Sequence, residues 1–413
     1  MIHRLRTPFR FLLAAAIVAS AALFTTAQAQ DVELTVWLVR ENYRMPLDDW
    51  YAENPNVRIN YEVVPWEHTL NQLILSAAAR RAPDVVVVDY PWIAVLAALG
   101  HLTPLDDYIA DWPQEDVDDI FDAAWAFGQF EGVQYTVPFA HMGRALYYRA
   151  DWFEDAGLGE PQTWDDVIEA GQVLTVDGRW GLSIRGARDD GSVQGWLPIF
   201  ASFGGQIVDG VPQVDSEAGV QALQLLHDMV HVHGIMSPET HTYGSSEARG
   251  AFMGGQAAMA IIGSHIAPAV ENAGIPYGDF VMTHIPRPST DMEPRNIATS
   301  FSWAVHAQTD HEDEAAAFVR YLANAENSKI FNAPYMESVR ESVYAMPDYL
   351  EAKPWTDFIL ADIPVSEPMP SHALYGEMSG AIQLALQEIL ANPNADAAVV
   401  AADLGARLRE ITD

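Results

Sequence analysis

Cysteine is absent from the 413 residues. That excludes disulfides, thiolate metal sites, a Cys nucleophile and a lipid-anchored N-terminal Cys. A chain with no covalent staple must be held by core packing, which this length permits. Lysine is almost missing too, with only Lys329 and Lys353. There is no G-x-S-x-G, no Walker loop and no G-x-G-x-x-G, so three common enzyme signatures are lacking. Beyond the first 29 residues no window approaches the twenty apolar residues of a membrane helix. Positive charge is scarce. The formal net charge is −35. Setting aside Arg4, Arg6 and Arg10 leaves 19 basic residues against 57 acidic ones, a balance of −38. Such a surface repels phosphate backbones and anionic lipid, so nucleic acid and membrane surfaces are not expected partners.

What is present begins with a leader. His3, Arg4, Arg6 and Arg10 form a basic region, Phe11 to Phe24 an apolar run, and Ala27-Gln28-Ala29 a cleavage signal. Residues 1–29 are expected to be a signal peptide, and the mature chain to be soluble, exported and periplasmic rather than lipid-anchored. Length allows two or three domain-sized units. The 12 Trp, 15 Tyr and 16 Phe are consistent with a carbohydrate-type cleft as well as with ordinary core.

Period-2 alternation predicts strands at Val32–Val39 and Val57–Val64. The continuous apolar run Asp84–Asp89, DVVVVD, predicts a strand covered on both faces, as in a parallel sheet. Helical patterns at Asp48–Glu53 and Thr69–Arg81 lie between them, so the chain opens as an α/β lobe. The acidic segment Asp106–Asp122 reads as a solvated helical face. It lacks the central Gly and terminal Glu of a calcium loop. Val133–Val137 reads as a strand stopping at Pro138, and Ala145–Tyr148 as a second one, so a crossover between two sheets is expected there. Further on, Thr163 and Ser216 are expected N-caps, Trp196–Phe203 a helix, Ala257–Ile262 and Phe280–Ile285 strands, Ser302–His306 another short extended run, and Tyr375–Asp413 mostly helix. His227 and His231 stand one helical turn apart, a zinc-pair spacing, although helix ends also carry histidine for dipole reasons. Paired carboxylates are too numerous in so acidic a chain to define a glycosidase pair.

Several segments together resemble the extracellular solute-binding proteins of carbohydrate-type ATP-binding-cassette importers. Ala82-Pro83-Asp84-Val85-Val86 with Gly100 to Asp106 resembles the family's "PDV…G-x-L-x-P-L-D". Gly132 to Trp164 resembles "G-x-x-Y-x-x-P…YY…AG…P-x-T-W", and Phe252 to Met259 resembles "F-x-x-G-x-A-A-M". Tyr335 to Val343 resembles "G-x-x-P-V-R-x-S-V", with Ser338 where Pro is usual. The resemblance implies a type II periplasmic binding protein fold, α/β and two-lobed, with the lobes joined by a hinge of several crossovers. Lobe 1 would be 30–139 and 285–333, and lobe 2 would be 140–284 and 334–413. Ile285-Pro286 would be the return crossing and Asn332 to Tyr335 the third.

The resemblance also implies ligand-contacting positions: Trp66, Glu67, Asp89 and Tyr90 at strand ends; Phe139 and His141 after the crossover; Trp196; Ser264 and His265; Trp303; and Arg340. His265 stands where the family often has a stacking Trp. No catalytic residue, metal or cofactor is implied. The expected ligand is a mono- or oligosaccharide, the expected partner a membrane permease, and the protein a monomer. A glycerophosphodiester or other polyol phosphate is the nearest alternative, with Arg144, Arg185 and Arg340 as candidates for its charge. An exported polysaccharide-degrading enzyme is the alternative of another class. On this reading Trp196→Ala and Arg340→Ala each weaken ligand binding and leave the fold intact.

Overall fold

The computed structural model describes residues 31–40, 45–332 and 336–413. The leader, Tyr335 and most of the expected third crossing therefore lie outside the described residues.

Val32–Leu38 is the middle of three parallel strands, flanked by Val57–Val63 and Val85–Asp89. Each of the five residues Val85–Asp89 is buried, as a doubly covered strand requires. A fully buried valine contributes about 1.5–3 kcal/mol. The sheet continues antiparallel through Asn296–Val305, then Thr136–Met142, then the two-residue strand Glu337–Ser338. Ser366–Pro368 joins along the start of Asn296–Val305, completing seven strands. A second sheet of four strands runs in the order Phe280–Thr283, Arg144–Arg149, Ala257–Gly263 and Trp180–Ser183. Two lobes thus form, one around each sheet. The C-terminal helices Tyr375–Ala391 and Ala397–Thr412 pack on each other and on helix Glu217–His231, beside the second sheet.

The helix caps follow the expected chemistry. Thr163 Oγ1 accepts from Asp166 N at 3.2 Å and Asp166 Oδ2 accepts from Thr163 N at 2.8 Å, a reciprocal capping box. Ser216 caps helix Glu217–His231.

Four local readings are corrected. The strand before the crossover does not stop at Pro138 but spans Thr136–Met142. Pro138 is tolerated because the pairing with Asn296–Val305 shifts register between Phe301 and Ser302, and Glu337–Ser338 reaches only Ala140 and His141 on the other side. No ladder bond is then demanded of the missing N–H. The helix after the second strand begins at Trp66, directly behind Pro65. The extended run near Ser302 is the ten-residue strand Asn296–Val305, whose Ser, Thr and Asn mask its pattern. The acidic segment is three short helices, Asp106–Ala110, Gln114–Asp118 and Asp122–Trp125.

The change of sheet falls at Gly143, between Thr136–Met142 and Arg144–Arg149. A polar node ties the crossing to its neighbours. Asn296 Nδ2, on the strand that returns to the larger sheet, donates to Arg144 O at 2.9 Å and to Asp362 Oδ1 at 3.0 Å. Asp362, fully buried, lies 3.5 Å from His141 Nε2 and 3.4 Å from His284 Nδ1. Burial alone would raise the Asp362 pKa, but hydrogen bonding with His141, His284 and Asn296 and the charge of His141 overcome it and hold the carboxyl below its ordinary range. Gly143 is needed for this contact. A Cβ there would sit 2.4 Å from Asp362 Oδ2 and 3.1 Å from His141 Nε2. Gly143→Ala is expected to lower the unfolding free energy by about 1–3 kcal/mol through overpacking, read by denaturant titration. An unchanged midpoint would mean that the node is loosely packed.

Candidate functional site

The carboxyl ends of the parallel strands set the first wall of the site. Strand Val32–Leu38 runs out into Val39 and Arg40, Val57–Val63 into Pro65 and Trp66, and Val85–Asp89 ends on Asp89 itself. Asn296–Val305 adds Thr299 and Phe301 from the middle of the sheet. The facing wall comes from the second sheet. It holds Arg144 at the crossover, Arg185 two residues past Trp180–Ser183, Gln194 from helix Asp190–Ser202, Arg249 from helix Ser245–Met253, and His265 after Ala257–Gly263. Between the walls lies a cleft of ≈ 410 Å³, within the range of small-molecule sites.

Asp89 is 2% exposed. Its Oδ2 accepts from Trp66 Nε1 at 2.8 Å, and Oδ1 accepts from the Thr299 hydroxyl. Burial raises its pKa from 3.8 to about 6, against the lowering effect of those two bonds and with further help from Asp190. Arg144 is 7% exposed, and its Nη2 donates to Gln194 Oε1. Burial, then the neighbouring Arg185, lowers its pKa to about 10, so it keeps its charge at neutral pH. His265 is held neutral, its pKa lowered by burial and by Arg40 and Arg144. The Trp66 ring lies 5.7 Å from Trp92, an aromatic wall backed by a second indole.

Of the residues expected from sequence, Trp66, Asp89 and His265 line this cleft. Glu67 follows Trp66 in the helix, and its side chain lies outside the described residues. The others sit elsewhere. Tyr90 is edge-on to Phe127 at 5.4 Å. Phe139 stacks on Trp303 at 4.8 Å, inside the lobe of the seven-stranded sheet. His141 belongs to the hinge node. Trp196 stacks on Phe200 at 5.3 Å, in the middle of its helix rather than at the start. Ser264 is buried, its carbonyl accepting from Tyr147 Oη at 2.7 Å. Arg340 pairs with Asp119 Oδ2 at 2.8 Å and faces a different groove, beside Trp50 and Trp112. As for the histidine pair, His227 Nε2 is 3.2 Å from Pro393 O, and among the described residues no group of three His or acidic side chains could hold a metal.

Sequence reading passed over Arg40, Gln194, Arg249, Thr299 and Phe301, and it named Arg144 and Arg185 only for the phosphate alternative. Arg40 and Arg185 follow strand ends, so the same rule that pointed to Asp89 could have found them.

Two α/β lobes, exchanged strands between them and a polar cleft at the strand ends define a type II periplasmic binding protein fold. Maltose-bound MalE3 of T. maritima superposes with a TM-score of 0.78 over 92% of this chain and 99% of that one, at 21% identity. Residues 38–329 match the bacterial extracellular solute-binding proteins, and the chain belongs to that family. A binding protein of Brucella abortus (strain 2308) is 25% identical over 272 residues, 62% of this chain; the match spans only 64% of that relative's length. The arabinooligosaccharide-binding protein of Halalkalibacterium halodurans is 23% identical over 357 residues, 82% of this chain and 76% of its own.

Proposed function

We propose that this protein is the solute-capturing component of an ATP-binding-cassette importer, taking a mono- or oligosaccharide between its lobes and delivering it to a membrane permease. The observation that carries this reading is the two-sided cleft. Trp66, Asp89 and Thr299 come from one lobe and Arg144, Gln194 and His265 from the other, so a ligand touching both favours the closed arrangement over the open one. Aromatic faces match sugar C–H surfaces, and Asp89, Gln194 and the arginines match hydroxyls. Relatives named for arabinooligosaccharide and maltose support the ligand class. Capture needs no covalent step, and the protein acts as a monomer, exported by its leader and free in the periplasm.

The reading is tested by thermal unfolding of the mature protein against a saccharide panel. A ligand at 100 times its Kd stabilises the native state by about 2.7 kcal/mol. A raised midpoint with one saccharide, recovered chemically unchanged, is expected. Hydrolysis of that saccharide by the purified protein would overturn the reading in favour of an enzyme.

A further inference from the structure

The cleft gathers positive charge on a very acidic protein. Arg40, Arg144, Arg185 and Arg249 all line it, while among the described residues Asp89 is the only carboxylate in its lining. Four of the 19 basic residues beyond the leader converge here, in a chain with 57 acidic ones. Of these four, only Arg185 is ion-paired among the described residues, with Asp189 at 3.0 Å; Arg40, Arg144 and Arg249 make no ion pair there. The Nε atoms of Arg40 and Arg185 are buried without a hydrogen-bond partner. Asp190, whose charge acts on Arg144 together with that of Asp89, is already engaged by Tyr375, Ser379 and Gln194.

The arginines are also built in. A Cβ on Gly191 would fall 1.7 Å from the Arg185 guanidinium carbon, and one on Gly263 would fall 3.3 Å from Arg144 Nη1. Arg40 lies 5.8 Å from the Phe301 ring centroid. Like charges held together at a desolvated place destabilise the protein unless something answers them. Neutral hydroxyls accept single hydrogen bonds and leave this repulsion standing. A guanidinium fork is suited to a planar or tetrahedral oxyanion, which it grips through two parallel bonds.

Resting on the solute-binding reading above, we propose that the ligand is an acidic saccharide, its carboxylate or ester oxyanion held by Arg144, Arg185 and Arg249 of one lobe with Arg40 closing from the other. The anion then does more than add affinity. It removes the repulsion between Arg40 and the arginines across the cleft, so closure is coupled to the charge of the ligand. Trp66 and Asp89 take the sugar ring and its hydroxyls.

The test is titration calorimetry at low ionic strength with matched pairs: glucuronate and glucose, galacturonate and galactose, their disaccharide counterparts, and glucose 6-phosphate and glycerophosphodiesters as a second anionic arm. An acid is expected to bind at least about tenfold more tightly than its neutral parent, and added salt is expected to weaken the acid alone. Arg249→Gln, on a partly exposed helix face, and Arg144→Gln are each expected to lower that affinity about tenfold. Preference for the sugar acids or for glucose 6-phosphate decides between carboxylate and ester, and either supports the proposal; binding of glycerophosphodiesters alone overturns it. A neutral parent binding as tightly as its acid overturns the proposal and leaves the solute-binding reading standing, as does an Arg249→Gln variant with undiminished affinity for the acid. Binding of none of the saccharides overturns both.

Discussion

Trp196→Ala is expected to lower the unfolding free energy by about 3–5 kcal/mol and, in the fraction that folds, to leave ligand affinity unchanged. Trp196 is 2% exposed and stacks on Phe200 within helix Asp190–Ser202. Truncating it removes an indole from the core of the second lobe, and the surrounding helix and sheet can close that space only in part. A protein with about 5–15 kcal/mol of stability registers such a loss as a large drop in denaturant midpoint. Trp303→Ala belongs to the same class, since that ring is fully buried between Phe139 and Phe331. Trp66→Ala is the counterpart. Its half-buried ring faces the cleft, so affinity should fall with a smaller cost in stability. Denaturant titration and calorimetry on the same preparations separate the two behaviours. Native stability with lost binding in Trp196→Ala would return that residue to the ligand site.

This contrast shows what could be read from the sequence and what could not. The parallel strands were legible because Val32–Leu38 and Val85–Asp89 carry a period or an unbroken apolar run that only a strand of that burial fits. The caps at Thr163 and Ser216 were legible because a short polar residue before an apolar helix has one main use. Strand Asn296–Val305 was read only at its end, for Asn296, Thr299, Ser300 and Ser302 break its apolar pattern although all four are buried: Thr299 donates to Asp89, and the neighbouring residues pair with the strand through Pro138. That omission cost the site Thr299 and Phe301. Trp66 lines the cleft while Tyr90, Phe139, Trp196 and Trp303 pack elsewhere, for a more general reason. Trp and Tyr supply core volume and ligand platforms alike, and a position on a motif does not say which way a ring turns. Arg340 lies elsewhere likewise: its charge answers Asp119, where the hydrogen bonds of the intact protein need it. Charge in the cleft was harder still to foresee, because Arg40, Arg144, Arg185 and Arg249 meet only when both sheets are assembled.

The second large effect is a pH dependence carried by Asp89. Relative to Asp89→Asn, the wild type is expected to lose about 3 kcal/mol of unfolding free energy as pH rises from about 4 to about 7. Burial lifts the carboxyl from 3.8 in the ordinary case to about 6 in the folded chain, so between those values the native state holds a proton that the unfolded chain has released. Stability therefore falls as pH rises through the window. Below it both states are protonated and the contribution is fully present; above it both are ionised and the buried charge weighs on the fold. Other titrating groups shape both curves alike, and Asn cannot ionise, so the difference between the two proteins isolates this step. The groups that face Asp89 set the size of the step. Trp66 and Thr299 favour the carboxylate through their hydrogen bonds, the Arg144 charge is coupled to it, and Asp190 opposes it. His265 adds no charge here, because burial and the arginines keep it neutral. Denaturant midpoints of the two proteins at half-unit steps from pH 4 to 7.5 give the measurement. Parallel curves would mean that Asp89 is solvated in the ligand-free protein, with the cleft wide enough for water to reach it. A converging pair, with the wild type losing ground as pH rises, would show a carboxyl held in a dry wall of the site. There it stays costly until a ligand hydroxyl supplies the donor that its charge lacks.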